Sequence, residues 1–112
     1  MSVAYVIEFW VRPPERERFL GLLGGVLAAM RSEPTHLDHT LHVDPADPLH
    51  FLLHEVWQDH GEVVAVQLGR PYRAEWHAAL PELLAKDRRV AVWQPMSERA
   101  AETAAATRGP QR

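Results

Sequence analysis

Glu55 is the residue whose neighbours make it hardest to explain as ordinary packing. It lies in Phe51-Leu52-Leu53-His54-Glu55-Val56-Trp57, two positions before a tryptophan. An ionised carboxylate in such an apolar run is costly unless it is paired, hydrogen-bonded or put to use. Paired, it would meet an arginine such as Arg88 or Arg89; in use, it would be a polar group of a site. His39 is the second such residue: a lone histidine on an apolar strand face is either a satisfied core side chain or an acid–base group. His54, Gln67 and His77 complete the polar set. Phe51, Trp57, Tyr72 and Trp76 supply aromatic surface, as core or as the walls of a ligand pocket. Gln67 and Tyr72 flank the break Gly69-Arg70-Pro71, a natural pocket rim.

Seven histidines raise the question of a metal. His36, His39 and His42 are spaced by three, but their stretch reads as a strand, where His36 and His42 share a face and His39 points away. His42 could meet His50 or His54 across a hairpin, without a firm carboxylate partner, so no metal site is expected. A haem would need an axial histidine aimed into the pocket, and His77 is the helical candidate. Neither a dinucleotide-binding fingerprint nor a Ser-His-Asp arrangement is present.

At 112 residues the chain is expected to form one domain. A net charge of -3 without a basic stripe argues against nucleic-acid binding. The absence of cysteine excludes disulfides, a thiolate nucleophile and cysteine-ligated metal centres, and fits a cytoplasmic protein. Met1-Ser2-Val3-Ala4-Tyr5 does not read as a signal peptide, and no apolar stretch approaches membrane-spanning length.

The elements that must hold these groups follow from periodicity. Residues 3–11 read as a strand, with Tyr5, Ile7, Phe9 and Val11 on one face and Ala4, Val6, Glu8 and Trp10 on the other. Pro13-Pro14, Glu15 and Glu17 open a helix whose stripe is Phe19, Leu22, Leu23, Val26, Leu27 and Met30. Gly21, Gly24 and Gly25 weaken it intrinsically and are read as points of close helix–sheet approach. Glu33-Pro34-Thr35 ends it. Residues 36–43 form a second strand with Leu37, His39, Leu41 and Val43 on the more buried face. Asp44-Pro45-Ala46-Asp47-Pro48 turns the chain into a third strand, 49–57, apolar on both faces. Asp59 caps a short helix reaching Leu68, with Val63, Val64, Val66 and Leu68 as its apolar side. A second helical piece spans Tyr72 to Lys86, with Trp76, Leu80, Leu83 and Leu84 inward and Pro81 kinking or restarting it. Residues 88–95 form the fourth strand, and an alanine-rich tail, 97–112, frays or extends as a helix beyond the 1–96 domain.

The order β-α-β-β-α-β predicts an α+β, ferredoxin-like fold: an antiparallel four-stranded sheet with helices on one face. Because the strands are apolar on both faces, a second copy is expected over the other, giving a homodimer built as a barrel-like core.

The helix stripe from Phe19 to Met30, the Glu33-Pro34 break and the turn at 44–48 are common patterns. Glu55-Val-Trp57-Gln-Asp59 followed by Pro71-Tyr72 is more specific. With these features, residues 3–96 resemble the antibiotic biosynthesis monooxygenase-like family of small dimeric α+β barrels, which includes quinol monooxygenases. Members often carry a histidine four residues before the proline, where this chain has Gln67, and an aromatic residue at the place of His39. The first departure removes a usual acid–base group; the second offers another.

The resemblance implies a cofactor-independent monooxygenase oxidising a small phenolic, quinol or polyketide-like aromatic compound with O2. Such chemistry needs an apolar pocket, a base near the ring hydroxyl and donors that hold the resulting anion. His39 or Glu55 is the expected base, with Phe51, Trp57, Gln67, Tyr72, Trp76 and His77 binding the substrate. Two alternatives remain: an isomerase or cyclase acting on a small carbonyl compound, and a non-catalytic ligand-binding dimer.

Overall fold

β1 (Val3–Val11) and β3 (Asp47–Trp57) lie at the centre of the sheet, consistent with their being the most continuously apolar strands. β2 (His36–Asp44) pairs with the outer side of β3, and β4 (Leu84–Trp93) with the outer side of β1, all antiparallel in the order β2-β3-β1-β4. The structure, a computed structural model, describes residues 1–108. Its strands and its two longer domain helices follow the expected ferredoxin-like α+β order. Among the described residues no helix is long and apolar enough to cross a membrane.

α1 (Arg16–Met30) and α3 (Ala74–Leu83) cover the sheet face that carries Val3, Tyr5, Ile7, Phe9 and Val11. Phe19, Leu23 and Met30 of α1 are fully enclosed. Burial of each side chain of this size stabilises by about 1.5–3 kcal/mol. That outweighs a helix cost of about 1 kcal/mol for each of Gly21, Gly24 and Gly25. The glycines are not points of close approach: a Cβ on any of them would meet nothing within 4 Å, and all three face solvent.

α2 (His60–Ala65) begins at the expected cap, with the Asp59 carboxylate accepting from the Glu62 backbone N–H at 2.9 Å. It is shorter than expected. A separate 3-10 turn, Gln67–Gly69, follows, and of its apolar residues only Val63 is buried, while Val64, Val66 and Leu68 are exposed. The hairpin between β2 and β3 closes over Pro45-Ala46, and Asp44 accepts from the Ala46 N–H at 2.8 Å.

Two irregularities move side chains from their expected faces. β2 carries one extra residue at Leu37, since His36 opposes Trp57 while Asp38 opposes Val56. His36 and His39 therefore share the inner face, and Leu37 is exposed. β4 begins at Leu84, four residues earlier than expected. The helical reading of Leu80, Leu83 and Leu84 came from a corner where helix and strand each bury a leucine, tied by the Arg12 N–H to the Leu83 carbonyl at 2.9 Å. Residues 85–87 of β4 are threaded past β1 with register shifts on either side of Trp10.

The opposite sheet face, with Val6, Trp10, Leu52 and Val56, is half-buried by its neighbours within the sheet. The tail continues as α4 (Glu98–Arg108), exposed along residues 99–106; its expected end, residues 109–112, lies outside the described residues.

Candidate active site

One cross-strand row carries the polar groups of the inner face: His39 on β2, Glu55 on β3, Tyr5 on β1 and Val92 on β4 stand side by side. Glu55 is 6% exposed and accepts from Trp57 Nε1 at 3.2 Å. Burial pushes its carboxyl above the ordinary value; the indole bond and the charges of Arg73 and Arg88 oppose that shift without cancelling it. Tyr5 Oη lies 2.6 Å from His60 Nδ1, and burial, then the Glu55 and Asp59 charges, raise the phenol.

In front of this row lies a cavity of about 310 Å³ between the sheet, α1 and the α2–α3 segment. Its walls are largely apolar, from Ile7, Leu53, Leu23, Leu27 and Trp76 among others, and its polar lining is Tyr5, Glu55, His60, Arg73, His77 and Arg88. Arg73, Trp76 and His77 reach it together because residues three and four apart share a helix face. Arg88 reaches it by plain alternation with Val90 and Val92 on β4. Val90 and Val92 are on the helix-covered side yet 50% and 56% exposed, so the cavity opens toward β4. Burial, then Arg88 and Arg73, holds the His77 imidazole below its ordinary value, which keeps it neutral at pH 7.

A sequence model of the family described as antibiotic biosynthesis monooxygenase matches residues 2–79. The chain belongs to the antibiotic biosynthesis monooxygenase family. Among solved structures it is similar to Rv0793 from Mycobacterium tuberculosis, with a TM-score of 0.79 at 23% identity over 88% of this chain and 98% of that one. A conserved protein from Methanosarcina mazei Go1 gives 0.78 at 18% identity, over 86% and 94%. SnoaB from Streptomyces nogalater, a cofactor-independent oxygenase, gives 0.73 at 20% identity, over 86% and 94%. At these identities the likeness is one of fold. No curated protein matches the sequence.

In this family member, three of the residues singled out in the sequence line the cavity: Glu55, Trp76 and His77. The other six stand outside it. His54 pairs with Val6 on the opposite face of the sheet. His39 sits beside Glu55 on the outer strand, its Nδ1 3.0 Å from Nε2 of His36. Phe51 packs on Phe19 at 5.0 Å, with the Arg16 guanidinium over its ring at 5.6 Å. Trp57 is fully buried and meets the cavity through two of its lining residues, by its bond to Glu55 and by its ring beneath the Arg73 guanidinium at 5.8 Å. Gln67, 1% exposed, is a cross-link: its amide donates to Glu33 Oε2 at 3.0 Å and to Glu62 Oε1 at 2.8 Å. Tyr72 leans on it, its hydroxyl donating to Gln67 Oε1 at 3.4 Å.

Four polar lining residues were not singled out as site groups: Tyr5, His60, Arg73 and Arg88. Arg73 was legible from its helical spacing to Trp76 and His77, and Arg88 had been read only as an ion-pair partner for Glu55. No ion pair joins Glu55 to either arginine among the described residues. His36 stands edge-on to Trp57 at 5.2 Å and His60 holds Tyr5. His50 is also partnered, bridging Glu8 Oε2 at 2.8 Å and Asp44 Oδ2 at 3.0 Å. The extra residue at Leu37 turns His36 and His39 to one side, contrary to strict alternation, yet among the described residues no group of three or more metal-ligating side chains forms.

Proposed function

We propose that this chain is a cofactor-independent monooxygenase acting on a small phenolic, quinol or polyketide-like aromatic compound. The observation that carries the reading is Glu55, a buried carboxylate without an ion-pair partner among the described residues, facing an apolar cavity also lined by two arginines. A carboxylate with a raised pKa is matched to proton abstraction near neutrality. Its base role is supported by access: Glu55 lines the cavity, and His39 does not. His39, Trp57, Gln67 and Tyr72 then hold the frame around it.

For an anthrone-type substrate, Glu55 takes a proton from the ring methylene. The carbanion passes an electron to O2, and the radical pair joins as a new carbon–oxygen bond. The peroxide is protonated; loss of the second methylene proton and cleavage of the O–O bond leave a carbonyl and water. One oxygen atom stays on carbon, the other leaves as water, and the substrate supplies all the electrons. Arg73 and Arg88 stabilise the anion, and Glu55, protonated in the first step, returns that proton to the peroxide. Oxygen uptake with a panel of hydroquinones and anthrones, without added cofactor, tests the reading; no uptake across the panel overturns it.

The same base and arginines would also serve an isomerase moving a proton through an enolate, and turnover without oxygen would select that reading. Binding without turnover under either condition would leave a ligand-binding protein of the same fold. We extend the proposal to a cytoplasmic homodimer of the 1–96 domain. Val6, Trp10, Leu52 and Val56 on the open sheet face, with Trp93 62% exposed beside them, would be covered by the second copy. Light scattering checks it, and a monomer at micromolar concentration counts against it.

A further inference from the structure

The charges around the cavity do not balance. Its lining holds two guanidiniums, Arg73 and Arg88, and one carboxylate, Glu55, so even with Glu55 ionised one positive charge is left over. This occurs in a chain whose net charge is -3. Burial favours the neutral form of Glu55, which enlarges the excess.

Arg73 makes the imbalance specific. It is 7% exposed, and its Nε is buried without a hydrogen-bond partner among the described residues. Its guanidinium faces the rings of Trp57 at 5.8 Å and Tyr72 at 5.5 Å. Arg88 is half-buried on the cavity wall, where it feels the charge of Arg73, and His77 feels the charges of both. Neither arginine has a carboxylate within 4 Å among the described residues. A buried guanidinium beside a second, half-buried cation is costly to leave unpaired, and the cost falls when an anion arrives with the ligand. A neutral phenol would supply charge only during turnover and would leave both guanidiniums desolvated in the resting complex. An acid that is already ionised when it binds satisfies them from the start.

We propose that Arg73 and Arg88 form a carboxylate subsite, so that the ligand of this cavity is an aromatic carboxylic acid. The acid group lies between the two guanidiniums and the ring lies along Ile7, Leu53 and Trp76. The proposal rests on the cavity being the substrate site, as argued above. A volume of about 310 Å³ suits a compact fused-ring acid.

The test compares binding of 2-naphthoate, 2-naphthamide and 2-naphthol to the full chain by tryptophan fluorescence under nitrogen, so that no oxidation is involved. Charge-assisted hydrogen bonds predict that 2-naphthoate binds roughly 10- to 100-fold more tightly than the amide or the naphthol. Arg88→Gln, on a half-exposed strand residue, removes most of that preference, while Arg88→Lys keeps part of it because the charge stays and the bidentate fork is lost. Arg73→Gln has the same effect if it folds, and the Arg88 series decides if it does not. Equal affinity for acid and amide, or a preference unchanged in Arg88→Gln, overturns the subsite. The two proposals fail separately. Selective 2-naphthoate binding with no oxygen uptake on any phenol retains the subsite and removes the oxygenase; oxidation of neutral phenols without acid preference does the reverse.

Discussion

Tyr5 and Glu55 face each other across the β1–β3 ladder, yet they turn to different partners: the phenol to His60 at 2.6 Å, the carboxylate to the Trp57 indole at 3.2 Å. Two proton-carrying groups are thereby held side by side without binding each other, and both line the cavity.

Replacing Tyr5 by Phe removes the bond to His60 and keeps the ring. Stability should fall by about 0.5–1.5 kcal/mol, the usual net worth of one hydrogen bond. Urea unfolding measures this, and a loss beyond about 3 kcal/mol would mean that the phenol supports more of the core than its single bond implies.

Glu55→Gln separates catalysis from packing. Loss of a general base lowers kcat by roughly 10²- to 10⁴-fold, while the fold persists because an amide fits the same space. The pH dependence has a definite sign. The folded pKa of Glu55 lies above its ordinary 4.5, so the folded state binds the proton more tightly than the unfolded one. Its contribution to stability is fully present below pH 4.5 and is lost as pH rises through the raised value. Relative to Glu55→Gln, the native protein should therefore weaken between pH 4.5 and neutrality in urea unfolding; parallel curves for the two would contradict the shift.

Gln67→Ala leaves Glu33 and Glu62 without the amide that joins them. A cost of about 1–3 kcal/mol is expected from the unsatisfied buried groups. Since Gln67 does not line the cavity, KM and kcat of the folded variant should stay within a few-fold of the parent. A selective collapse of kcat at unchanged stability would return Gln67 to the site.

Gly24→Ala places a methyl group where nothing lies within 4 Å, on a solvent-facing turn of α1. It should raise stability by about 0.5–1 kcal/mol, seen as a higher Tm in thermal unfolding. A lower Tm would show that this face of the helix is covered in solution.

The sheet was legible because β1 is a run of β-branched and aromatic residues and β3 is apolar on both faces from Phe51 to Trp57. Helix caps were legible where one side chain does the work, as at Asp59. Site geometry was legible only where alternation or helical spacing runs undisturbed. Glu55, Trp76 and His77 follow such regular periods, and Arg73 and Arg88 do too, though their charges suggested pairing rather than cavity lining. His36 and His39 could not be placed, since one inserted residue reverses the facing of everything before it, and Leu37 bears no mark of that insertion. Tyr5 and His60 depend on a contact 55 positions apart in the chain. No local pattern encodes it.

The register shifts in β4 carry a final implication. Were that strand threaded against β1 without its two extra residues, Asp87 would stand opposite Trp10 and Lys86 opposite Val11, on the helix-covered face. Instead Lys86 sits over the Trp10 ring at 4.0 Å, on the far side of the sheet, and buried Leu84 takes the place opposite Val11. Parity, rather than residue type, thus keeps an ammonium group out of a corner filled by leucine. A slip of one position along this edge would set a charge among those apolar side chains as surely as a substitution would.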